Sequence, residues 1–512
     1  MFWDALVIVL YFAAIIGIGL KKGGGEKSLE GYALGGRSIP WGAILASILA
    51  SEISAATFLG APGEGYALRN FTYLQLAAGT ILARLLVGWL FLGAYYRHGV
   101  VSIYEFLEIR FGKASRTAAS AIFLVTRALA SGTRLYVAAI ILVLAIELAH
   151  GSLPTPGQEL GIYVGAVVVI VLLTALYTTF GGIKAVVWTD VIQAGVLVSA
   201  LAVTLGLLLS RIPGGWSGAR ALLTAPDDLR LVDSGLLPGA PFWENVKHVL
   251  AGEYTLFAAF IASTFVTLAT HGTDQDMVQR MLTAKDARSG KLAVIVSGLV
   301  DAPVVLAFLL IGILLWAFYQ IHPDPHLPKE NPQVFAYFIL TQLPAGFRGL
   351  LVAGLLATAM GSLSTALNAL ATSFCRDFWF QREGKDLTDR AQLGAARGAT
   401  VFFAAVLTVI GAATAWTVVS HPDARILPIV LGIFGYTYGS LLGVFLIGLF
   451  TKTRGSDRGN LIAMACGFVA VAFLSRLIPA PAWLPEIAFP WRVFFGTVVT
   501  VGVGVLFKST KS

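Results

Sequence analysis

Thr358, Ser362, Thr365, Asn368 and Thr372 recur at steps of three and four inside an otherwise apolar stretch, GLLVAGLLATAMGSLSTALNALATSF at 349–374. On a helix that spacing puts them on one stripe. Oxygens so placed in a dry setting suit a small hard cation. The same residue types also allow close helix packing and bond their own backbone, so the stripe alone leaves both readings open. Ionisable residues add to the chemistry, because a charge inside an apolar run is costly and marks either function or a buried pair. Glu52 lies in SILASEISAATFLGAPGEGY, where Ser47, Ser51, Ser54, Thr57 and Gly60 interrupt the run and Pro62 closes it. Local unwinding there would free carbonyls for an ion; the alternative is a packed helix with Glu52 on Arg84. Asp190, in AVVWTDVIQAG, is either a ligand or half of an arginine pair. Asp301 stands two residues before Pro303, whose kink leaves a carbonyl unpaired. Arg127 and Arg134, seven apart, share a face, and at least one serves as a counter-charge.

The elements that position these groups follow from composition. Of 512 residues, 57% are hydrophobic and 12% charged, more apolar surface than a soluble chain can hide. An all-α polytopic membrane protein is therefore expected. Thirteen apolar spans can be drawn, at 2–20, 41–60, 70–96, 117–149, 161–180, 185–210, 251–270, 290–320, 347–375, 393–416, 425–451, 458–478 and 490–507. Lys and Arg gather in loops 21–40, 97–116, 271–289 and 376–392, whereas 150–160, 417–424 and 479–489 have none. That bias predicts the N-terminus outside and the C-terminus in the cytoplasm. It also accounts for the net charge of +8 through anionic headgroups, with no need for nucleic acid. Cys375 and Cys466 stand alone, the seven histidines form no HExxH pair, and neither GxSxG nor a phosphate loop is present, so no enzyme is expected. Loops 211–250 and 322–344 are expected to lie across the outer mouth.

The runs LASEISAATFLGAPGEGY at 49–66, YEFLEIRFG at 104–112, FGGIKAVVWTDVIQ at 180–193, GTDQDMVQR at 272–280 and GSLSTALNALATSFCRD at 361–377 resemble the sodium:solute symporters. The resemblance implies a LeuT-like, five-plus-five inverted-repeat core: a leading helix and loop over 1–40, repeats at 41–210 and 251–451 joined by the 211–250 loop, and two trailing helices in 452–512. Broken helices are then expected at 41–60 and 251–270. A first sodium site carries over to Ala50, Ile53, Thr358, Gly361 and Ser362, with Gly361 departing from the serine that relatives often have. A second carries over to Asp190, Ser364 and Thr365. The solute is expected among Glu52, Thr57, Phe58, Tyr73, Gln75, Asp274, Asp301, Phe434 and Tyr436. The function so implied is sodium-coupled symport of a small organic solute, such as a sugar or polyol, monocarboxylate, vitamin or amino acid. It would proceed by alternating access, in a monomer in the cell's inner membrane, with Na+ as coupling ion. The alternatives are proton coupling through Glu52 or Asp190, or a channel or sensor on the same fold; a sensor is expected to carry a signalling domain, and none follows Phe507.

Overall fold

The computed structural model describes residues 2–23, 27–150, 155–383, 387–421, 426–479, 481 and 484–509. Parts of the 150–160, 376–392, 417–424 and 479–489 loops therefore lie outside the described residues. Among those described the chain is helical throughout, without named strands. In chain order the helices are α1 (Phe2–Gly23), α2 (Leu29–Leu34), α3 (Trp41–Glu52), α4 (Ala55–Leu68), α5 (Leu76–Leu86), α6 (Leu92–His98) and α7 (Tyr104–Arg110). They continue with α8 (Lys113–His150), α9 (Pro156–Arg211), α10 (Gly215–Leu222), α11 (Phe242–Ala251), α12 (Ser263–Gly272), α13 (Gln275–Met281) and α14 (Ala287–Ile321). The last seven are α15 (Asn331–Gln342), α16 (Phe347–Phe374), α17 (Phe380–Glu383), α18 (Asp389–Ser420), α19 (Ile426–Phe450), α20 (Asp457–Leu474) and α21 (Phe489–Gly504). Nine helical stretches among the described residues are long and apolar enough to cross a membrane, and helix covers each of the other predicted spans in shorter pieces.

One of the nine is two crossings by length. At 56 residues α9 would extend about 84 Å, against a hydrocarbon core of about 30 Å, and it turns at Gly182 (φ 55°, ψ −156°). Only glycine enters that conformation without strain. Polar backbone cannot be left open in lipid, and the kink falls inside a helical register, at the place where the sequence predicts the end of one span and the start of the next.

α16, which carries the hydroxyl stripe, is the most deeply buried of these long helices. It packs against α9, α8, α3 and α1. Small residues make that possible, since dispersion and close approach replace the hydrophobic drive inside a bilayer. Two expectations change. Pro62 does not close its helix: α4 runs through it to Leu68, held by glycine contact with α14, where a methyl on Gly312 would come within 2.0 Å of the Pro62 carbonyl. The second predicted break, at 251–270, is a π-turn over Ala258–Ala262 that continues into α12. It bulges against Gly79 of α5, whose missing methyl would come within 2.0 Å of the Ala259 carbonyl. Both long loops pack onto the helices: Phe71 and Leu229 exchange backbone bonds with Arg230 and Arg69, and α15 buries Phe335 on Phe58.

Candidate functional site

α3 and α4 meet at an unwound pair. Ile53 (φ −78°, ψ 85°) and Ser54 (φ −77°, ψ 167°) leave the helical region. The Ser54 amide, which in an unbroken helix would reach the Ala50 carbonyl, donates instead to the Glu52 carbonyl at 2.9 Å. The Thr57 amide, which would reach the Ile53 carbonyl, donates to the Ser54 hydroxyl at 3.4 Å. The break thus strips Ala50 and Ile53 of their helical acceptor bonds. Two carbonyls inside the membrane are left to be satisfied by something else.

Gly361 of α16 faces that break. A methyl built on it would lie 2.6 Å from Gln193 Oε1, 3.2 Å from the Ala50 carbonyl oxygen and 3.5 Å from Asp190 Oδ1. Three oxygens from α3 and α9 therefore close around one point. Asp190 is wholly buried and Gln193 is 1% exposed. The other Asp190 oxygen, Oδ2, accepts from the Ser47 hydroxyl at 2.5 Å, and the Ser47 carbonyl accepts from Arg280 at 3.3 Å. Asp190 Oδ1 and both amide atoms of Gln193 have no hydrogen-bond partner among the described residues. An unpartnered carboxylate oxygen in low dielectric is expensive, and a cation is the natural remedy.

The hydroxyls of α16 donate along their own helix. Thr358 donates to Leu355 (2.7 Å), Ser362 to Thr358 (3.1 Å), Ser364 to Gly361 (3.1 Å) and Thr365 to Gly361 (3.0 Å). Donation uses the hydrogen and leaves the oxygen lone pairs available to a cation. Thr365 also meets Ser51 of α3 at 3.3 Å. The lower stripe instead joins α16 to α13, where Gln279 donates to Asn368 (2.6 Å) and Thr372 (3.3 Å). Gln193, Ser47 and Arg280 are not singled out by the sequence as site residues, although Gln193 stands one helical turn from Asp190 in WTDVIQ.

The other acids are occupied. Glu52 Oε1 lies 2.5 Å from Arg84 and 2.8 Å from His271 Nε2, and Asp301 lies 3.8 Å from the same arginine, so the paired reading of Glu52 is the one observed. Arg84 also bonds Ser297 at 3.0 Å. Asp274 is fully buried; one carboxylate oxygen receives both Arg127 and the Tyr438 hydroxyl, and the other caps α13 through the Asp276 amide at 2.9 Å. Arg127 lies 3.1 Å from Asp276 as well. This knot ties α8 to α13 and α19.

A cavity of about 1210 Å³ opens on the side of the long loops. α4 turns Ala56, Leu59, Gly60 and Gly63 towards it, and Glu64, Glu159, Glu253, Glu330 and Glu486 surround it with Lys329 and Arg492. None of the predicted solute residues lines this vestibule. The spacing of Ala56, Leu59, Gly60 and Gly63 fixes which face of α4 is open, and it turns Phe58 away, between Phe308 and Phe335. Thr57 stays at the helix start beside Ser54. Tyr73 packs edge-on against Tyr254, and Gln75 bonds the Tyr254 carbonyl at 2.9 Å. Tyr436 lies under Arg492, and Phe434 under both Arg127 and Arg134.

Of these cations, Arg127 is paired with acids, whereas Arg134 and Arg492 meet only rings among the described residues. Arg134 lies over Phe434 at 4.9 Å and has no ion-pair or hydrogen-bond partner among the described residues. Together with Ala55, Ser131 and Ser362 it lines a small cavity, next in sequence to the Ala56 and Tyr136 of the vestibule wall.

The profile of the sodium:solute symporter family matches residues 32–467. A sodium/glucose cotransporter of Vibrio parahaemolyticus is 30% identical over 503 residues, covering 92% of this chain and 85% of that one. Human sodium-coupled monocarboxylate transporter 1 is 28% identical over 505 residues, covering 95% and 75%. In fold, the chain matches the substrate-bound outward-open state of a Na+-coupled sialic acid symporter with a TM-score of 0.83 at 23% identity, over 99% of this chain and 97% of that one.

Proposed function

Because the chain belongs to the sodium:solute symporter family, we propose that the solute it carries with sodium is an organic anion whose carboxylate is held by Arg134. Sodium is the coupling ion. The observation that carries the solute reading is a guanidinium without an ion-pair partner among the described residues, lining a small cavity whose Ala55 and Leu135 are next in sequence to Ala56 and Tyr136 of the vestibule wall. A buried arginine seeks a carboxylate, for which its planar fork is suited. Asp301, which would repel an anion if free, shares Arg84 with Glu52 at 3.8 Å from the guanidinium. Two of the relatives named above carry acids, a monocarboxylate in one case and sialic acid in the other.

In this reading sodium binds the carbonyls of Ala50 and Ile53, the Asp190 carboxylate and the hydroxyls of Thr358, Ser362, Ser364 and Thr365. Sodium would draw the α3–α4 break onto α16 and fix Ser362 beside the anion. Each would then favour the conformation the other needs, which is the origin of coupling. The vestibule faces the exterior, the N-terminus lies outside and the C-terminus in the cytoplasm of a cell whose inner membrane holds the monomer. Uptake into proteoliposomes of a labelled panel of hexoses, monocarboxylates, amino acids and pantothenate, with inward sodium compared against potassium, tests it. Sodium-dependent accumulation of a carboxylate, lost in Arg134→Ala, is expected. Accumulation of hexoses alone would overturn the anion reading.

A further inference from the structure

The family pattern supplies two sodium sites, one built on Ala50 and one on Asp190, yet in this chain the oxygens assigned to both face the same point. Ala50 O and Asp190 Oδ1 lie within 3.5 Å of where a side chain at 361 would begin, and Gln193 Oε1 lies nearer still at 2.6 Å. A real side-chain atom would have to displace that amide. Its absence is what admits it.

We propose that this chain has one merged sodium site, in which the Gln193 amide oxygen replaces the side-chain ligand that Gly361 lacks. The inference rests on reading the Asp190 cluster as the sodium site and deepens it. Three observations converge. First, Gln193 is 1% exposed, with both amide atoms unpartnered among the described residues. A buried amide oxygen that accepts no hydrogen bond is costly, and a cation supplies what the protein withholds from it. Second, Asp190 offers the same space one unpartnered oxygen, its other being taken by Ser47. Third, Ser364 and Thr365, which would complete a separate second site, both close on the Gly361 carbonyl and so converge on the same residue. A main-chain carbonyl, a carboxylate and an amide make a hard oxygen set suited to one alkali cation. Two like charges around a single carboxylate would repel each other in low dielectric.

Binding of labelled sodium to the purified protein in potassium-balanced detergent buffer, with the melting midpoint in potassium as the check on folding, tests the proposal. The wild type is expected to bind one sodium per chain. Gln193→Ala should weaken binding at least about tenfold, and Gln193→Glu, which keeps an oxygen in place, should retain it. Gly361→Ser should weaken binding by pushing the amide aside, and the double variant Gly361→Ser with Gln193→Ala should recover it, as the serine hydroxyl takes over the space. Two sodium ions per chain that both depend on Asp190, or wild-type affinity in Gln193→Ala, would overturn the merged site while leaving the Asp190 cluster a sodium site. Binding unchanged in Asp190→Asn would overturn that underlying reading as well.

Discussion

Asp190 and Asp274 are both wholly buried acids within the helical core, yet they live in opposite circumstances. Asp274 spends both oxygens on its neighbours, Arg127 and Tyr438 on one and a backbone amide on the other. Asp190 spends one on Ser47 and leaves the other without a hydrogen-bond donor among the described residues, on the same point as the Ala50 carbonyl and the Gln193 amide. An acid ringed by donors holds a structure together. An acid left with an open oxygen waits for a cation.

Substitutions at the two positions should therefore fail in different ways. The largest effect is expected from Asp274→Ala, which leaves Arg127 buried and short of a partner: a loss of about 3–5 kcal/mol of stability, seen as a lowered melting midpoint in potassium. Asp190→Asn should change that midpoint far less, because Asp190 makes no ion pair among the described residues and its one bond there is from Ser47. It should cost about 3 kcal/mol of sodium binding, read as loss of sodium-dependent uptake. If the two variants lower stability alike, the contrast is false. Arg134→Ala extends the test to the solute, with an expected cost of about 2 kcal/mol in solute affinity and little change in sodium binding measured without solute. The smallest effect belongs to Ser47→Ala, which removes one donor from Asp190 and should shift sodium affinity by about 1 kcal/mol. A larger shift there than in Asp190→Asn would mean that Ser47 itself is a ligand.

Much of this architecture is legible in the chain itself. The hydroxyls at 358, 362 and 365 and the break after Glu52 follow from periodicity and from small residues in an apolar run, which are local properties of the chain. Partner inventories are not local. Asp274 and Asp301 read as solute-facing acids because nothing in their own segments names Arg127 or Arg84, which come from helices well over a hundred residues earlier. Gln193 sits in a recognisable motif, but its role depends on a missing methyl at Gly361, on another helix. Phe58 reads as a lining residue for a simpler reason: the face that α4 turns to the vestibule is set by glycines at 60 and 63, and a one-residue rotation exchanges lining for core. The π-turn at Ala258–Ala262 leaves no compositional trace comparable to the serine-rich break in the first repeat.

The ring of five glutamates around the vestibule, against one lysine and one arginine, has a consequence for order of events. A cavity mouth of one sign gathers counter-ions and raises their encounter rate, so sodium is enriched at the entrance while a free anion is turned back. On the proposed anion reading, sodium is expected to load first and to lower the barrier that the mouth sets against the carboxylate. Initial uptake rate should then rise with inert salt at fixed sodium, as screening shortens the reach of the field, whereas an entrance designed only to attract an anion would slow under the same salt.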